Sequence, residues 1–330
     1  MLVLTFVISI ITAQHNLHAE NKSPVTAKAT IASMYKKVTP STVGILVNNH
    51  LNGTGWIATA DGYVITAAHV VAGNSDKQLI EIINKSNGRV MAKKVAIDKG
   101  HDLALLKLPT KRGGYPAVSI AKTMGTTGDE IYLLGTPIYR HGVLTPGRIA
   151  RPTTAYEYLA DNKHYIETVY VNAHTPRGTS GGPWFNLQGE IVGLQSAMMN
   201  DGKSPAGIAF VIPLKAIKKL LDEKKSAATQ TLKLAIEEIW EQPGDFLKKY
   251  PNKTQGLVIH KIASDSPLKT TDLKDGQVII AVNDKPISLR DELLIAIRKT
   301  KPGQSLKLTY LKPNSIKRHF ASVTPEVWEK

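Results

Sequence analysis

From residue 41 to about 213 the chain repeats one pattern: a short run rich in Val, Ile, Thr and Tyr, then a break at Gly, Asn or Asp. Runs at 43–47, 56–58, 63–66, 79–83, 95–97, 131–134, 165–171 and 191–194 read as strands, and strands this closely spaced indicate a barrel or sandwich. The period changes at 214–225, where Leu214, Ile217, Leu220 and Leu221 share one face and lysines take the other. That stretch predicts an amphipathic helix. Residues 222–230 are charged, small and poor in apolar side chains, which marks a domain boundary. Beyond it, strands are predicted at 256–262, 278–282 and 306–311 and a helix at 290–299; a shorter helix is predicted at 31–38. The domain reading is 1–19 signal peptide, 20–40 leader or oligomerisation segment, 41–225 a large β-rich domain and 226–330 a C-terminal module.

Three motifs interrupt this pattern with residues that carry chemistry. They are Thr66-Ala67-Ala68-His69-Val70, His101-Asp102-Leu103-Ala104-Leu105-Leu106 and Arg177-Gly178-Thr179-Ser180-Gly181-Gly182-Pro183. A serine hydroxyl is a weak nucleophile at neutral pH, so it needs an imidazole to take its proton and a buried carboxylate to fix the ring's tautomer. Ser180, His69 and Asp102 fit those roles in the order His, Asp, Ser, which favours paired β-barrels. An oxyanion also needs two convergent N–H donors from an unencumbered turn, and Gly178 and Ser180 supply them. Each motif alone is weak: a lone His is more often a core residue, and a Gly-Ser-Gly-Gly string is usually a loop.

With these residues in view, the chain resembles a trypsin-like serine protease of the HtrA/Deg family with one C-terminal PDZ domain. The resemblance runs through GTGWIATADGYVITAAHVV (53–71), HDLALLKL (101–108), GDEIYLLGTP (128–137), RGTSGGPWFNLQGEIVGL (177–194) and GIAFVIP (207–213), then through GLVIHKIASDSPL and LKDGQVIIAVNDKPI. It implies a mainly β fold, a trypsin-like double β-barrel followed by an α+β PDZ domain. It further implies a substrate strand paired with the backbone of Gln195, Ser196 and Ala197, and a primary pocket between 175–180 and 207–210 that includes Thr175, Gly207 and Ala209. His174, six residues before Ser180, stands where a Lys/Arg-selective protease presents a carboxylate, so small or medium aliphatic residues are expected at the cleavage position; Ala209, often Gly in the family, should narrow the entrance. Thr179 replaces the family's usual Asn at a position expected to contribute mainly backbone. The module would hold a peptide C-terminus at Leu234, Ala235 and Ile236, where the family's Gly is replaced by Ala235 and a Cβ would disfavour positive φ. As a plain alternative, Leu234 and Ile236 are core strand residues.

Composition narrows the setting. The 330 residues suffice for two or three cores, and cysteine is absent, which excludes disulfides and thiolate chemistry. Residues 2–13 are apolar, 14–18 polar, and Ala19 precedes Glu20, as in a signal peptide cleaved after Ala19. Twelve helical residues reach about 18 Å, short of the ~30 Å hydrocarbon core. No Lys or Arg precedes the run, so a retained segment or an internal start is the alternative. The net charge of +15 comes from scattered Lys pairs without aromatic interleaving, a solvated basic surface and not a nucleic-acid site. No cofactor and no metal are expected, since no H-E-x-x-H occurs. Gly53-Thr54-Gly55-Trp56-Ile57-Ala58 has dinucleotide-loop spacing but leads into strand residues, and Gly202-Lys203-Ser204 lacks the Gly a phosphate loop needs, Ala197 standing in its place.

The expected function is an envelope or periplasmic endopeptidase acting on misfolded or damaged polypeptides, with C-terminal peptides held by the PDZ domain. The resemblance implies a homotrimer or a multiple of it. The alternative class is a chaperone or peptide-binding scaffold with little turnover. Activity should rise with pH as His69 loses its proton.

Overall fold

The computed structural model describes residues 24–73, 78–159, 164–202 and 204–328. The segment assigned to the signal peptide lies outside them. The first seven strands, β1 (Thr42–Val47), β2 (His50–Ile57), β3 (Tyr63–Ala67), β4 (Ile80–Asn84), β5 (Gly88–Met91), β6 (Lys93–Asp98) and β7 (Leu103–Lys107), form one antiparallel sheet in the order β5-β4-β1-β2-β3-β7-β6. Its two end strands are separated in sequence by Ala92 alone, whose N–H bonds back to Ile80. The sheet must therefore curl to bring its ends together, which gives the first half its barrel form. Asn48 and Asn49, both left-handed at φ 50 and 70, close the β1–β2 hairpin, a turn that Asn tolerates well.

The second half is a closed barrel of β8 (Glu130–Gly135), β9 (Val143–Leu159), β10 (His164–Asn172), β11 (Pro183–Phe185), β12 (Ile191–Asp201) and β13 (Ser204–Pro213), ordered β10-β13-β12-β11-β8-β9. The two halves share one apolar core, with Trp56, Leu105 and Trp184 fully enclosed. Helix α1 (Pro24–Val38) starts seven residues before the expected helix and lays Met34 and Val38 into that core. Its Tyr35 hydroxyl reaches the Gly142 carbonyl at 2.8 Å. Helix α2 (Leu214–Glu223) buries Leu214, Ala216, Ile217 and Leu220 and ends where Lys224 turns left-handed, its N–H on the Leu220 carbonyl.

A connector pinned to β6 by Ala227 N–H on the Ile97 carbonyl leads into the C-terminal module. There β14 (Thr229–Thr231) pairs with the last strand, β21 (Glu326–Trp328). The main sheet runs β15 (Leu234–Glu238), β16 (Leu257–Ile262), β17 (Val278–Val282), β19 (Leu306–Leu311), β20 (Arg318–Val323), with β18 (Lys285–Pro286) on β17. Helix α3 (Gly244–Leu247) is a single turn; α4 (Arg290–Lys299) covers the sheet with Leu293, Leu294 and Ile297. The module's core also takes in Tyr156 and Tyr165, which belong to the long β9–β10 hairpin of the barrel. The two units are thus joined by apolar packing as well as by chain.

Leu105, fully buried in β7, anchors the strand that follows Asp102. Leu105→Ala is expected to cost about 2–5 kcal/mol. Urea unfolding should show a lower midpoint at unchanged slope.

Candidate active site

Strand pairing delivers the first two residues of the site together. In the β3–β7 ladder Ala67 faces Leu103, so the residues just past that pair, His69 in a 3-10 turn and Asp102 at the head of β7, are neighbours. Ala68 N–H bonds to the Asp102 carbonyl at 2.9 Å and locks the two segments. The Asp102 carboxylate is fully enclosed and receives three donors: His69 Nδ1 at 2.7 Å and His69 N–H at 2.9 Å, on different oxygens, and Ser196 Oγ at 2.5 Å. A buried carboxylate is tolerable only when so satisfied. With Nδ1 committed to the carboxylate, Nε2 is the ring nitrogen through which His69 would serve a nucleophile.

Ser180 arrives from the loop between β10 and β11. Its carbonyl accepts Thr54 N–H at 2.8 Å, and Gly181 N–H reaches the Gln195 carbonyl at 2.7 Å, so both halves of the protein grip the loop. Gly181, at φ 82, approaches β2 so closely that a Cβ would lie 2.1 Å from the Thr54 carbonyl oxygen. Gly178, at φ 95, has the same need: a Cβ would sit 2.6 Å from the Thr136 carbonyl oxygen. Among the described residues neither the Gly178 nor the Ser180 N–H meets an internal acceptor, the condition an oxyanion site requires. The Ser180 hydroxyl donates to the Ser196 carbonyl at 3.1 Å.

Two residues outside the expected triad and oxyanion turn hold this arrangement. Ser196, expected to offer backbone only, uses its hydroxyl on Asp102 and its carbonyl on Ser180. Thr54, fully buried, donates its hydroxyl to the Gly178 carbonyl at 2.7 Å and accepts Thr136 N–H at 3.0 Å. It stands inside the Gly53-Thr54-Gly55 string that resembled a dinucleotide loop, and a buried hydroxyl between small residues was the available signal. Thr179 also does more than carry backbone, since its hydroxyl closes the turn onto the Pro176 carbonyl at 2.7 Å.

The substrate-facing expectations need revision. Gln195 is buried, its N–H on Gly182 and its carbonyl on Gly181, while its amide bridges Trp184, Thr175 and Ala197; it braces the wall and has no backbone left for a guest strand. Thr175 is buried as part of that bridge. Ala197 is half-buried and pairs with Phe210 across β12–β13, past the point where β11 ends. Ala209 is fully buried between Val171 and Met198 in the ladder, so its methyl narrows no entrance. Gly207 is left-handed at φ 76 with open space beside it. His174 is exposed and forms no pocket floor.

In the module, Leu234 and Ile236 are buried core residues and Ala235 is half-buried. The left-handed residue is Lys233, at φ 49, and not Ala235, so the extra Cβ meets no φ penalty. One edge of β15 pairs with β16; on the other, the Tyr165 hydroxyl accepts Ile236 N–H and donates to the Ile236 carbonyl, both at 2.9 Å. These are the bonds an added strand would make. The remaining space there, lined by His164, Tyr165, Leu234, Leu294 and Arg298 among others, is about 10 Å³. Burial pushes the Tyr165 phenol up to about 12.

The seam between barrel and module also carries charge. Burial alone would discharge His101, but hydrogen bonds to Asp98 and Glu167 outweigh it and hold the ring at about 9. The side chain keeps a quarter of its exposure, so the direction rests on the two carboxylates and not on isolation from water. His164, stacked on Trp328, is driven down to about 4 by burial and by Arg298, Lys233 and Lys99.

Residues 53–194 match the family model of the trypsin-like peptidase domain, and residues 244–319 that of the PDZ domain. A DegP-like periplasmic serine endoprotease of Rhizobium meliloti is 30% identical over 261 residues, covering 78% of this chain and 50% of that protein. Serine protease HTRA1 of Xenopus tropicalis is 27% identical over 311 residues, covering 86% of this chain and 64% of that protein. The chain thus spans between 50% and 64% of the length of these curated relatives. The solved structure of the HtrA-type protease AlgW with a decapeptide has the same fold, with a TM-score of 0.66 at 20% identity over 91% of this chain and 99% of that one.

The two seam histidines set opposite pH slopes. Stability from His101 is complete below its unfolded value of 6.5 and is lost as pH rises towards about 9; His164, held neutral, withdraws stability as pH falls from 6.5 towards about 4. Urea midpoints across pH 4–9 should peak near 6.5 for this pair, and His101→Gln should flatten the alkaline slope.

Proposed function

We propose that this chain, which belongs to the HtrA family of trypsin-like serine proteases with one C-terminal PDZ domain, is a serine endopeptidase acting on misfolded or damaged polypeptides in the periplasm or cell envelope. The observation that carries the reading is the enclosed Asp102 carboxylate bonded to His69 Nδ1 at 2.7 Å, on the wall where Ser180 is held. The envelope setting is supported by relatives named as periplasmic and by the apolar 2–13 run.

The chemistry follows from these atoms. The Ser180 hydroxyl leaves the Ser196 carbonyl and passes its proton to His69 as Oγ attacks the peptide carbonyl; Asp102 stays ionised and steadies the imidazolium. The Gly178 and Ser180 N–H groups take the oxyanion, worth about 3–4 kcal/mol per donor at comparable sites. His69 then protonates the leaving amine, and water repeats the sequence on the acyl-enzyme. Among the described residues no strand pairs with β12 past Leu194 on the side opposite β13, and a substrate strand would add there, at Ser196 and Ala197. A holding scaffold of little turnover is the second reading, supported by the Ser180 hydroxyl's bond to a carbonyl. Oligomerisation as a trimer through the N-terminal segment belongs to the same proposal.

Ser180→Ala is expected to keep the fold and lose turnover of casein together with fluorophosphonate labelling; wild-type protein that does not label supports the scaffold instead.

C-terminal peptides at the PDZ domain compete with Tyr165 for Ile236. Tyr165→Phe deletes both hydrogen bonds and should tighten peptide binding about fivefold or more by fluorescence anisotropy. Unchanged affinity would show that the two do not share the edge.

A further inference from the structure

The residue immediately before Asp102 is a histidine with a carboxylate on each ring nitrogen. His101 Nδ1 lies 2.8 Å from Asp98 Oδ2, and Nε2 lies 3.3 Å from Glu167 Oε2 on β10. Asp98 also accepts the His101 N–H at 3.2 Å, so one side chain ties both ends of the 98–101 turn. Both ring nitrogens must be donors to serve two carboxylates, which makes the ring a cation.

Arg298 completes the group from the other unit. It projects from α4 and donates to the carbonyls of Tyr165 at 2.6 Å and Gln230 at 3.3 Å. The hydrogen bonds from His101 hold the Asp98 and Glu167 carboxyls down against burial, the Arg298 charge adds a smaller pull in the same direction, and Arg298 itself keeps partial solvent contact. Two anions and two cations therefore face one another across the seam, with Tyr156, His164 and Lys99 also nearby. The module presses on the turn itself: a Cβ at Gly100 would meet Thr229 Oγ1 at 2.6 Å and Arg298 Nη1 at 3.2 Å.

This matters because of how Asp102 is held. It sits at φ 50, a left-handed conformation that a non-glycine residue keeps only where its surroundings impose it. Its N–H bonds to the Lys99 carbonyl at 3.2 Å, inside the turn that Asp98 and His101 close. The carboxylate that orients His69 is thus aimed by a backbone whose other end is clamped by the module.

We infer that Asp98, His101, Glu167 and Arg298 form a positioning cluster for Asp102, so that the aim of the catalytic acid depends on docking of the C-terminal module. The inference rests on the triad assignment. The cluster touches no substrate; it acts on the transition state by way of Asp102 and His69, and so bears on kcat while leaving substrate binding alone.

The test uses the full chain and a short chromogenic peptide, with kcat and KM measured separately for His101→Gln, Arg298→Met and the double variant, alongside thermal unfolding. The expected result is a loss of about tenfold in kcat for each single variant with KM within about twofold, a parallel slowing of fluorophosphonate labelling, and a double variant little worse than the weaker single. Folded single variants with wild-type kcat, or losses that simply multiply in the double variant, would overturn the cluster. Should His101→Gln fail to fold, Glu167→Gln makes the same test with a near-isosteric change. Ser180→Ala in the same assay separates the two layers. If it stays active the triad assignment fails, whereas an inert Ser180→Ala beside an unimpaired His101→Gln sinks the cluster alone.

Discussion

A carboxylate removed from water between two β units is the constraint on which this molecule turns. Asp102 can stay ionised there only if donors reach it from separate parts of the chain, and they do: a ring and an amide from His69, a hydroxyl from Ser196. The first two come from the β3–β7 ladder, the third from the closed barrel. Meeting the needs of one buried charge therefore forces the two halves into register, and that register brings the Ser180 loop to the same wall. Loss of one donor would leave an uncompensated charge, a penalty larger than the worth of an ordinary hydrogen bond.

Around that carboxylate, small residues are used for closeness and hydroxyls for bracing. Gly178 and Gly181 let backbone pass where a methyl would collide, and Thr54 ties the oxyanion turn to the first sheet. The braces are made largely of main-chain groups, so the Ser180 loop is held by strands on both sides, provided that glycine stands at 178 and 181. At the far end, the β9–β10 hairpin reaches out of the barrel and finishes the core of the C-terminal module with Tyr156 and Tyr165. The edge that could receive a peptide is occupied by a phenol from the same chain, and the loop bearing the acid leans on the helix of that module. The outer edge of β15 and the turn that precedes Asp102 thereby meet at one seam.

Much of the architecture was legible because its signals are local. The helix at 290–299 coincides with α4, and the helix from 214 ends two residues before the expected 225 because Lys224 turns left-handed. The 17-residue strand β9 escaped notice, since its exposed and buried positions alternate irregularly and Pro146 and Pro152 interrupt it. At the site, residue type and order singled out His69, Asp102 and Ser180, of which the fold joins His69 to Asp102 by a hydrogen bond, whereas the positions expected to line a pocket are buried or exposed as the fold dictates. Gln195, Thr175 and Ala209 face inward, and His174 faces out. Whether a side chain lines a cavity or fills a wall depends on neighbours tens of residues away.

What the sequence determined by itself is the chemistry available and the local conformations that present it: which residue can attack, which can accept a proton, where glycine must stand, where the chain turns. Only the tertiary structure decided which groups share a charge. Ser196 meets Asp102, Tyr165 meets Ile236 and Arg298 meets the 98–101 turn across separations that leave no periodic trace. The physical reason is that hydrogen bonding and ion pairing are satisfied in space. A buried polar group accepts any donor the fold brings within about 3 Å, and nothing in a donor's own neighbourhood announces which acceptor that will be.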